Sequence, residues 1–350
     1  MKTAKSAYAR AGVDVGKVRD LQRFMVSALG GTFHTRKTGA GAPLIEIGHY
    51  SGMVDLGGNM ALTLHTDGVG TKVLVAQSMG RYDTVGIDCV AMTVNDLICL
   101  GSEPIALLDY LALEREDDRI VKEIMNGLIA GAEEASVPIV GGETAILGEM
   151  IRGIEGHGFD LASMGVGIVE KDMVVDGSAI RAGDAIVGLR SSGLHSNGYT
   201  LARKVLTKRH SLKEFIPRLD RTLGDELLTP TKIYVRPVLR LLSRVEVHGL
   251  AHITGGAFTK LARLTGRRDL SFRLEQVKPL PVFGMLAEEG RLSTEDMYST
   301  FNMGVGFCVI LSPSQAEEAI RVCRRNGFEA SAIGTIGRGR GVYVGKERLA

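Results

Sequence analysis

The chain has 350 residues with 45% hydrophobic and 23% charged side chains, ordinary values for a globular protein that buries a sizeable core. A formal net charge of +2 excludes the basic footprint of a nucleic-acid binder, and no apolar stretch is long enough to span a bilayer. The first residues carry lysines without an apolar run behind them, so we expect no secretory signal, no membrane partner and a cytoplasmic protein. Four cysteines without paired spacing predict buried reduced thiols.

The first half of the chain alternates strand-like and helix-like patterns. Residues 60–66 alternate apolar and polar side chains as a strand does, and residues 84–100 are apolar nearly all round, which is typical of a buried helix. The other elements predicted here are strands over 106–113, 138–142 and 160–170 and an amphipathic helix over 117–136. The turn-rich segment that follows predicts a domain boundary, with one domain over 1–172 and a second over 173–350.

The second half begins again with a strand over 184–190, a polar turn and a helix from about Tyr199 to Leu206. The later predicted elements are helices over 231–245, 256–265 and 314–326, a strand over 303–311 and a closing strand. His248 and His252 are four residues apart in what looks like a turn entering a strand, so we predict no metal site there. The whole pattern predicts an α+β or mixed α/β fold.

The stretch HTDGVGTK, residues 65–72, offers phosphate chemistry without matching a common phosphate loop. It is neither a Walker loop nor the GxGxxG fingerprint of dinucleotide sites. It supplies the carboxylate of Asp67 at a strand end, two glycines that free backbone N–H groups, and Lys72 as a point charge for a phosphate. Taken alone, the stretch is more simply an Asp-Gly turn.

Two further acids change that interpretation. Asp96 lies in a helix too apolar to face water, so its charge should be paired or metal-bound. Glu143 follows a buried strand and two glycines. Together with Asp67 these carboxylates form a candidate Mg²⁺ site, since Mg²⁺ prefers oxygen ligands and shares its sphere with substrate phosphates. The alternative is a set of capping and core-pairing acids.

A second polar cluster, SSGLHSNGYT, occupies residues 191–200. Its serines, Asn197 and Thr200 stand between a strand and a helix N-terminus, where a phosphate is best received. A capping loop explains the serines and Asn197, but it does not call for His195 flanked by glycines. The loop is therefore a candidate substrate site.

Eight motifs, in chain order, resemble the AIR synthetase family, the cyclo-ligases of purine biosynthesis. The motifs are DVGKV, HTDGVGTK, GIDCVAMTVNDL, VGGETA, SSGLHSNGYTLARKVL, LLTPTKIYVRPV, HITGGAF and MYSTFNMGVG. DGVGTK and GGET are shared by a wider ATP-using superfamily, whereas HSNGY with TPTKIYV and FNMGVG is much more specific to AIR synthetases. The resemblance covers most of the chain.

The resemblance implies a two-domain subunit whose N-terminal sheets pair across a homodimer as a barrel, with an ATP site beside an α/β C-terminal domain. It also implies the reaction, in which formylglycinamidine ribonucleotide and ATP give aminoimidazole ribonucleotide, ADP and phosphate. Phosphorylation of the substrate's formyl amide oxygen makes that oxygen a leaving group. The amidine nitrogen then closes the five-membered ring and phosphate departs.

Carried over residue by residue, the resemblance implies a set of site residues, with ATP and Mg²⁺ as cofactors. The catalytic residues are His195, Lys72 and Asp67, and the metal ligands are Asp67, Asp96 and Glu143. The ATP and phosphate contacts are Gly68, Gly70, Thr71, Lys72, Asn95, Gly141 and Gly142. The substrate contacts are Ser191, Ser192, Gly193, His195, Ser196 and Asn197. His195 either moves the ring-closing proton or binds the activated oxygen.

Two departures and two alternatives bear on this expectation. Residues 48–58 read GHYSGMVDLGG where bacterial relatives have a GGFG-like segment, and Leu194 stands where many relatives carry proline. A sister enzyme, such as formylglycinamidine ribonucleotide synthetase or a small-molecule kinase, should lack HSNGY with TPTKIYV, but both are present. A binding module without catalysis should have lost the carboxylates or the lysine, and none is missing.

Overall fold

The N-terminal half is built on a five-stranded mixed sheet. The computed structural model describes residues 15–266 and 268–349. The strands are β1 (Gly52–Gly57), β2 (Met60–Gly68), β3 (Glu103–Leu113), β4 (Ile139–Ile146) and β5 (Phe159–Glu170). Their spatial order is β1-β2-β5-β3-β4, and only the β3–β4 pair is parallel. Glu143 therefore lies inside a strand rather than after one, because β4 extends beyond the predicted end.

Four α-helices of the described residues accompany this sheet. They are α1 (Val15–Gly30), α2 (Val73–Met79), α3 (Asp83–Leu97) and α4 (Asp118–Ala135). Helix α4 begins where the Asp117 carboxylate accepts hydrogen bonds from the backbone N–H groups of Arg119 and Ile120. Helices α3 and α4 touch at Gly86 and Gly127, where any Cβ would collide with the facing backbone. Helix α3 is therefore in direct backbone contact with α4.

The buried helix predicted over 84–100 is confirmed. Helix α3 runs to Leu97 and continues as a single 3₁₀ turn to Leu100, and its residues from Asp88 onward are buried. One side of the five-stranded sheet, which we call the inner face, packs on α3 through alternating residues such as Leu107 and Leu111 of β3. The opposite, outer face carries no covering element among the described residues, and Leu108 and Tyr110 stay about 40% exposed there.

The C-terminal half is built on a seven-stranded mixed sheet. Its strands are β6 (Ala185–Arg190), β9 (Val247–His252), β10 (Leu270–Leu274), β11 (Val305–Leu311), β12 (Ala330–Arg338), β13 (Gly341–Val344) and β14 (Glu347–Arg348). They lie in the order β14-β13-β10-β12-β6-β11-β9, and only β10 and β13 run parallel. A separate two-stranded ribbon joins β7 (Phe215–Ile216) to β8 (Arg221–Thr222).

Within residues 173–266 and 268–349, six α-helices complete this half. They are α5 (Tyr199–Leu206), α6 (Leu223–Leu228), α7 (Val235–Leu242), α8 (Pro281–Gly290), α9 (Thr294–Thr300) and α10 (Ala316–Arg325). The predicted helix over 231–245 begins only at Val235, because residues 229–234 run non-helically against α3. The helix predicted over 256–265 is a 3₁₀ segment, Ala257–Leu264. The turn predicted at residues 248–252 is strand β9.

The fold is thus mixed α/β, with two open mixed sheets. In the described part of the chain neither sheet closes into a barrel. No described helix combines the length and the apolar character needed to cross a bilayer. All four cysteines are buried free thiols, as predicted.

Candidate active site

Lys72 and Asp88 form a fully buried ion pair where the two halves meet. Lys72 Nζ lies 2.6 Å from Asp88 Oδ2, and both side chains are 0% exposed. Lys72 also donates to two backbone carbonyls of the C-terminal half, at His195 (3.2 Å) and Thr229 (2.7 Å). Burial lowers the Lys72 pKa, while the Asp88 charge opposes that shift. The motif lysine therefore fastens the His195 loop to the N-terminal half, and the predicted phosphate contact requires this network to open.

Polar side chains of α3 hold the segment before α7. Asp88 Oδ1 accepts hydrogen bonds from the N–H and the hydroxyl of Thr231, at 2.8 Å and 2.6 Å. Asn95 donates to the Lys232 carbonyl and accepts from the Tyr234 N–H, both at 2.8 Å. Because Asp88 and Asn95 are seven residues apart, they lie on one side of the helix. Asn95, predicted as an ATP contact, is thus fully engaged between the two halves.

Asp96 is the acid at the centre of a buried histidine cluster. Its Oδ1 accepts a 2.7 Å hydrogen bond from Nδ1 of His252, and its Oδ2 lies 3.3 Å from Nε2 of His65. Burial alone would raise the Asp96 pKa, but the hydrogen bond from His252 and the charges of His252, His65 and Lys260 lower it. The carboxylate therefore stays ionised, and it is paired with histidines, one of the two outcomes expected for a charge in this helix.

Asp67 ends β2 beside this cluster. It is partly buried, and its Oδ1 accepts a 2.8 Å hydrogen bond from the Gly68 N–H. Burial and the neighbouring Asp96 charge raise the Asp67 pKa. Two carboxylates that repel each other in this way favour a cation between them. The Asp67 and Asp96 carboxylates thus act on each other, and their role as metal ligands stays a prediction.

Glu143 is not brought to these two acids. It pairs in register with Tyr110, whose side chain lies on the outer face, so Glu143 points away from Asp67. The half-buried acid on the inner face is Asp109 instead, which pairs with Ser163 as Asp67 does from the other side. Gly142 lies next to Asp109, where a Cβ would collide with its carboxylate. Among the described residues no three His, Cys, Asp or Glu side chains form a metal-ligand group.

The glycine-rich part of HTDGVGTK stays accessible. Gly70 has a left-handed φ of +68°, and no atom lies near the position that its Cβ would take. Thr71 is exposed, with its hydroxyl 3.2 Å from that of Thr200 at the start of α5. The backbone of this turn and the first turn of α5 therefore face each other across the boundary between the halves. That arrangement suits an anionic ligand between them.

The His195 loop uses two of its three serines internally. Ser191 Oγ donates to Asn302 Oδ1 at 3.0 Å, and Ser192 Oγ donates to the Pro230 carbonyl. Asn302 also donates to the Gly193 carbonyl at 2.9 Å. Ser196 Oγ is buried and has no hydrogen-bond partner among the described residues. Of these hydroxyls, only that of Ser196 remains available to a ligand.

His195 is fully buried and has a left-handed φ of +64°. Its Nε2 accepts a 3.3 Å hydrogen bond from the Ser192 N–H, so the neutral ring carries its proton on Nδ1, which has no partner among the described residues. Burial, together with the charges of His252 and Lys72, holds the His195 pKa well below its usual range. The imidazole is therefore neutral at neutral pH with one unused N–H donor. An unused buried donor is costly unless a ligand completes it.

The two clusters meet at Tyr234. Its ring centroid lies 6.2 Å from that of His195 and 6.5 Å from that of His252. The Tyr234 hydroxyl donates to the Arg190 carbonyl at 3.0 Å. Gly306 of β11 leaves the space for this packing, since any Cβ there would collide with both Tyr234 and His195.

Sequence reasoning missed several of these residues. The prediction for His248 and His252 did not include the contact of His252 with Asp96, and His248 has a different partner, Asp184, at 2.7 Å. His65 stands within the motif itself. The other missed residues are Asp88, Asp109 and Lys260. The only sequence signal for Asp88 was its charge in an apolar helix, the reasoning that was applied to Asp96 alone.

Two models of known protein families match this chain, one in each half. Residues 48–169 match the N-terminal domain model of AIR synthase related proteins, and residues 181–346 match the C-terminal domain model. The phosphoribosylformylglycinamidine cyclo-ligase of Pyrococcus furiosus is 48% identical, over 96% of this chain and 97% of its own length. The corresponding enzyme of Methanosarcina barkeri is 48% identical over 90% of this chain and 91% of its own length.

Solved structures share the fold at low identity. Thiamine-monophosphate kinase from Stenotrophomonas maltophilia has a TM-score of 0.63 and 20% identity over 92% of this chain and 97% of its own. T. maritima PurL complexed with ADP has a TM-score of 0.59 and 17% identity over 88% of this chain and 45% of its own. Combined with the family models and the high-identity relatives, these observations show that the chain belongs to the AIR synthase related family, among its phosphoribosylformylglycinamidine cyclo-ligases.

Proposed function

We propose that the chain closes the imidazole ring of formylglycinamidine ribonucleotide through a phosphorylated amide oxygen, at the boundary between its two halves. ATP-dependent cyclo-ligase activity follows from family membership. The observation that carries the proposed site is the contact of two clusters at Tyr234, one acidic around Asp96 and one around the unused N–H of His195. Phosphoryl transfer and ring closure then occur in neighbouring regions of one site.

The residues present fit an ATP-bound Mg²⁺ ion. Asp67 and Asp96 offer oxygen ligands, and burial together with the Asp96 charge raises the pKa of Asp67, a shift that a bound cation would oppose. The ion, when bound, would neutralise phosphate charge during transfer. Asp67 and Asp96 would hold it, and His252 would keep Asp96 ionised and oriented through its 2.7 Å hydrogen bond. Glu143 lies on the outer face and would not hold this ion within the same subunit.

Ring closure falls to the His195 loop. The Nδ1–H of His195 and the hydroxyl of Ser196 are buried donors without partners, so a substrate oxygen would complete both. Burial excludes water from the activated amide, which protects it from hydrolysis. Ser191, Ser192, Gly193 and Asn197 would shape the loop around the substrate, and the exposed turn at Gly68, Gly70 and Thr71 would face the nucleotide.

The experiment that tests this function is ADP release by the purified protein. ATP is supplied with formylglycinamidine ribonucleotide, with formylglycinamide ribonucleotide plus glutamine, or with thiamine monophosphate. The last two serve the sister synthetase and the kinase. ADP release with formylglycinamidine ribonucleotide alone, together with formation of aminoimidazole ribonucleotide, is the expected result. Turnover with either of the other substrates in its place would overturn the proposal.

Replacement of Asp67 or Asp96 by asparagine should abolish most activity while the fold survives. Each change removes a negative charge from the proposed metal site but keeps the side-chain shape. A loss of about 10²-fold or more in kcat/KM is expected, because charge neutralisation is the main contribution of protein to phosphoryl transfer. Activity is measured against Mg²⁺ concentration. Unchanged turnover with unchanged Mg²⁺ dependence would remove that residue from the site.

We also propose that the chain acts in the cytoplasm as a homodimer that covers the outer face of the five-stranded sheet. The register places one contiguous set of apolar side chains on that face. They are Leu62 and Leu64 of β2, Met164, Val166 and Ile168 of β5, and Leu108 and Tyr110 of β3. An exposed apolar set of this kind favours burial against a second copy. Two such faces would pair as the barrel that the family resemblance implies.

Light scattering after size exclusion should therefore give the mass of a dimer at micromolar concentration. Leu108→Glu should shift the mass toward the monomer, because it places a charge in the proposed interface. Phe215→Glu is a matched control, since Phe215 is 57% exposed but lies in the C-terminal half. A wild-type chain that is a stable monomer at this concentration would contradict the proposal.

A further inference from the structure

Lys72 has no unused N–H donor for a phosphate. An ammonium group has three N–H donors. In Lys72 they face Asp88, the His195 carbonyl and the Thr229 carbonyl, and the side chain is 0% exposed. Moving it toward a ligand would leave Asp88 buried without its counter-charge, which is strongly destabilising. The transferred phosphoryl group therefore needs a different cation.

Lys260 is placed to be that cation. Its Nζ donates to the Thr254 hydroxyl and lies 5.8 Å from the centroid of the Tyr50 ring. It takes part in no ion pair among the residues that the structure describes, and two of its donors remain unused. Burial lowers the Lys260 pKa, while the charges of Asp96 and Asp67, the two acids of the proposed metal site, oppose that shift.

The segment that covers Lys260 is the one where this chain departs from the GGFG-like pattern. Ser51 Oγ donates to the Asp96 carbonyl at 2.9 Å, which fastens the segment to the end of α3. Tyr50 is 2% exposed, and its hydroxyl has no partner among the described residues. Both ring nitrogens of His49 are likewise buried without a partner. The Tyr50 ring beside the Lys260 ammonium therefore belongs to a segment that is fastened to Asp96 and keeps unused polar atoms.

We propose that Lys260, rather than the motif lysine Lys72, contacts the γ-phosphoryl group of ATP, with the Tyr50 hydroxyl as a second donor. In the transfer step the bond between Pγ and the β,γ-bridging oxygen breaks and a bond from Pγ to the substrate amide oxygen forms. ADP keeps the electron pair of the broken bond. Lys260 keeps its proton throughout and offsets the negative charge on the equatorial oxygens. The Tyr50 ring holds the ammonium by cation–π attraction.

This assignment rests on the proposed site, and a binding measurement tests it without the substrate. Affinities for ADP and for a non-hydrolysable ATP analogue are determined by calorimetry in the presence of Mg²⁺. Lys260→Met should weaken binding of the analogue by about 10-fold or more relative to ADP, because only the analogue carries a γ-phosphate. Its kcat should fall by about 10² to 10³. Lys260→Arg should restore most of the affinity ratio.

Matched variants make the result decisive. Lys72→Met should lower the melting temperature and change both affinities by the same factor. Lys122→Met, which removes a charge from the surface of α4, should leave the affinity ratio unchanged. If Lys260→Met folds poorly, Lys260→Gln, which keeps a donor for Thr254, takes its place. A wild-type affinity ratio in Lys260→Met or Lys260→Gln would overturn the assignment. A wild-type protein that forms no product would refute the proposed function, and the affinity ratio would still test Lys260.

Discussion

Replacement of His195 by alanine is expected to lower kcat by about 10² to 10⁴ while the affinity for ATP stays nearly unchanged. The ring is neutral and buried, and its Nδ1–H has no partner among the described residues, so a reacting substrate atom is the natural acceptor. Steady-state kinetics with each substrate varied in turn measure the effect. A raised KM for one substrate with kcat intact would leave His195 as a binding residue.

His195→Asn is the control for the backbone and for packing. Asparagine tolerates a left-handed φ such as the +64° of His195, and its amide can still accept the Ser192 N–H. It cannot exchange a proton near neutral pH. If proton chemistry matters, His195→Asn should be as slow as His195→Ala while its melting temperature is close to wild type. Activity near wild type in His195→Asn would show that His195 acts through hydrogen bonding alone.

Replacement of Asp88 by asparagine should cost about 3–5 kcal/mol of stability, because it leaves the buried Lys72 ammonium without a counter-charge. The change keeps the side-chain shape, so lost packing is a minor contribution. For a domain of this size the melting temperature should fall by roughly 10 °C. Differential scanning calorimetry measures it. Because Lys72 also binds the His195 carbonyl, activity should fall at temperatures where the variant is still folded.

Two comparisons isolate the ion pair. Asp118→Asn removes a carboxylate from an exposed pair with Lys122 and should hardly move the melting temperature. Lys72→Met combined with Asp88→Leu replaces both charges by apolar groups and should recover much of the stability but not the activity. An Asp88→Asn variant that melts with the wild type would show that the pair does not hold the two halves together.

Local patterns identified much of the fold. The alternation over residues 60–66 and the all-round apolar run over 84–100 correspond to β2 and to α3 with its terminal turn. Both patterns depend on the periodicity of side chains along a single element, so they can be recognised from a short stretch of neighbouring residues. Boundaries were less accurate where tertiary contacts decide, as at residues 229–234, whose hydrogen bonds to Asp88 and Asn95 keep them out of α7.

The family resemblance likewise rests on the residues of the motifs and on their order along the chain. The family models and the curated relatives confirm it. The sequence also indicated that Asp67 and Asp96 belong together, because both are carboxylates beside apolar elements. It also grouped Glu143 with them, and within one subunit the structure keeps Glu143 apart. The two-residue period of β4 turns Glu143 to the outer face, and that depends on register with β3.

Most of the secondary-structure elements, the family and the kinds of side chain in the site can therefore be predicted from the amino-acid sequence. The partner of each charged group depends on how distant elements pack together. Lys72 meets carbonyls 123 and 157 residues away, and Asp96 meets a histidine 156 residues away. Periodicity is a property of neighbouring residues, whereas the partner of a buried charge is set by which elements pack together, because burial makes an unpaired charge too costly to keep.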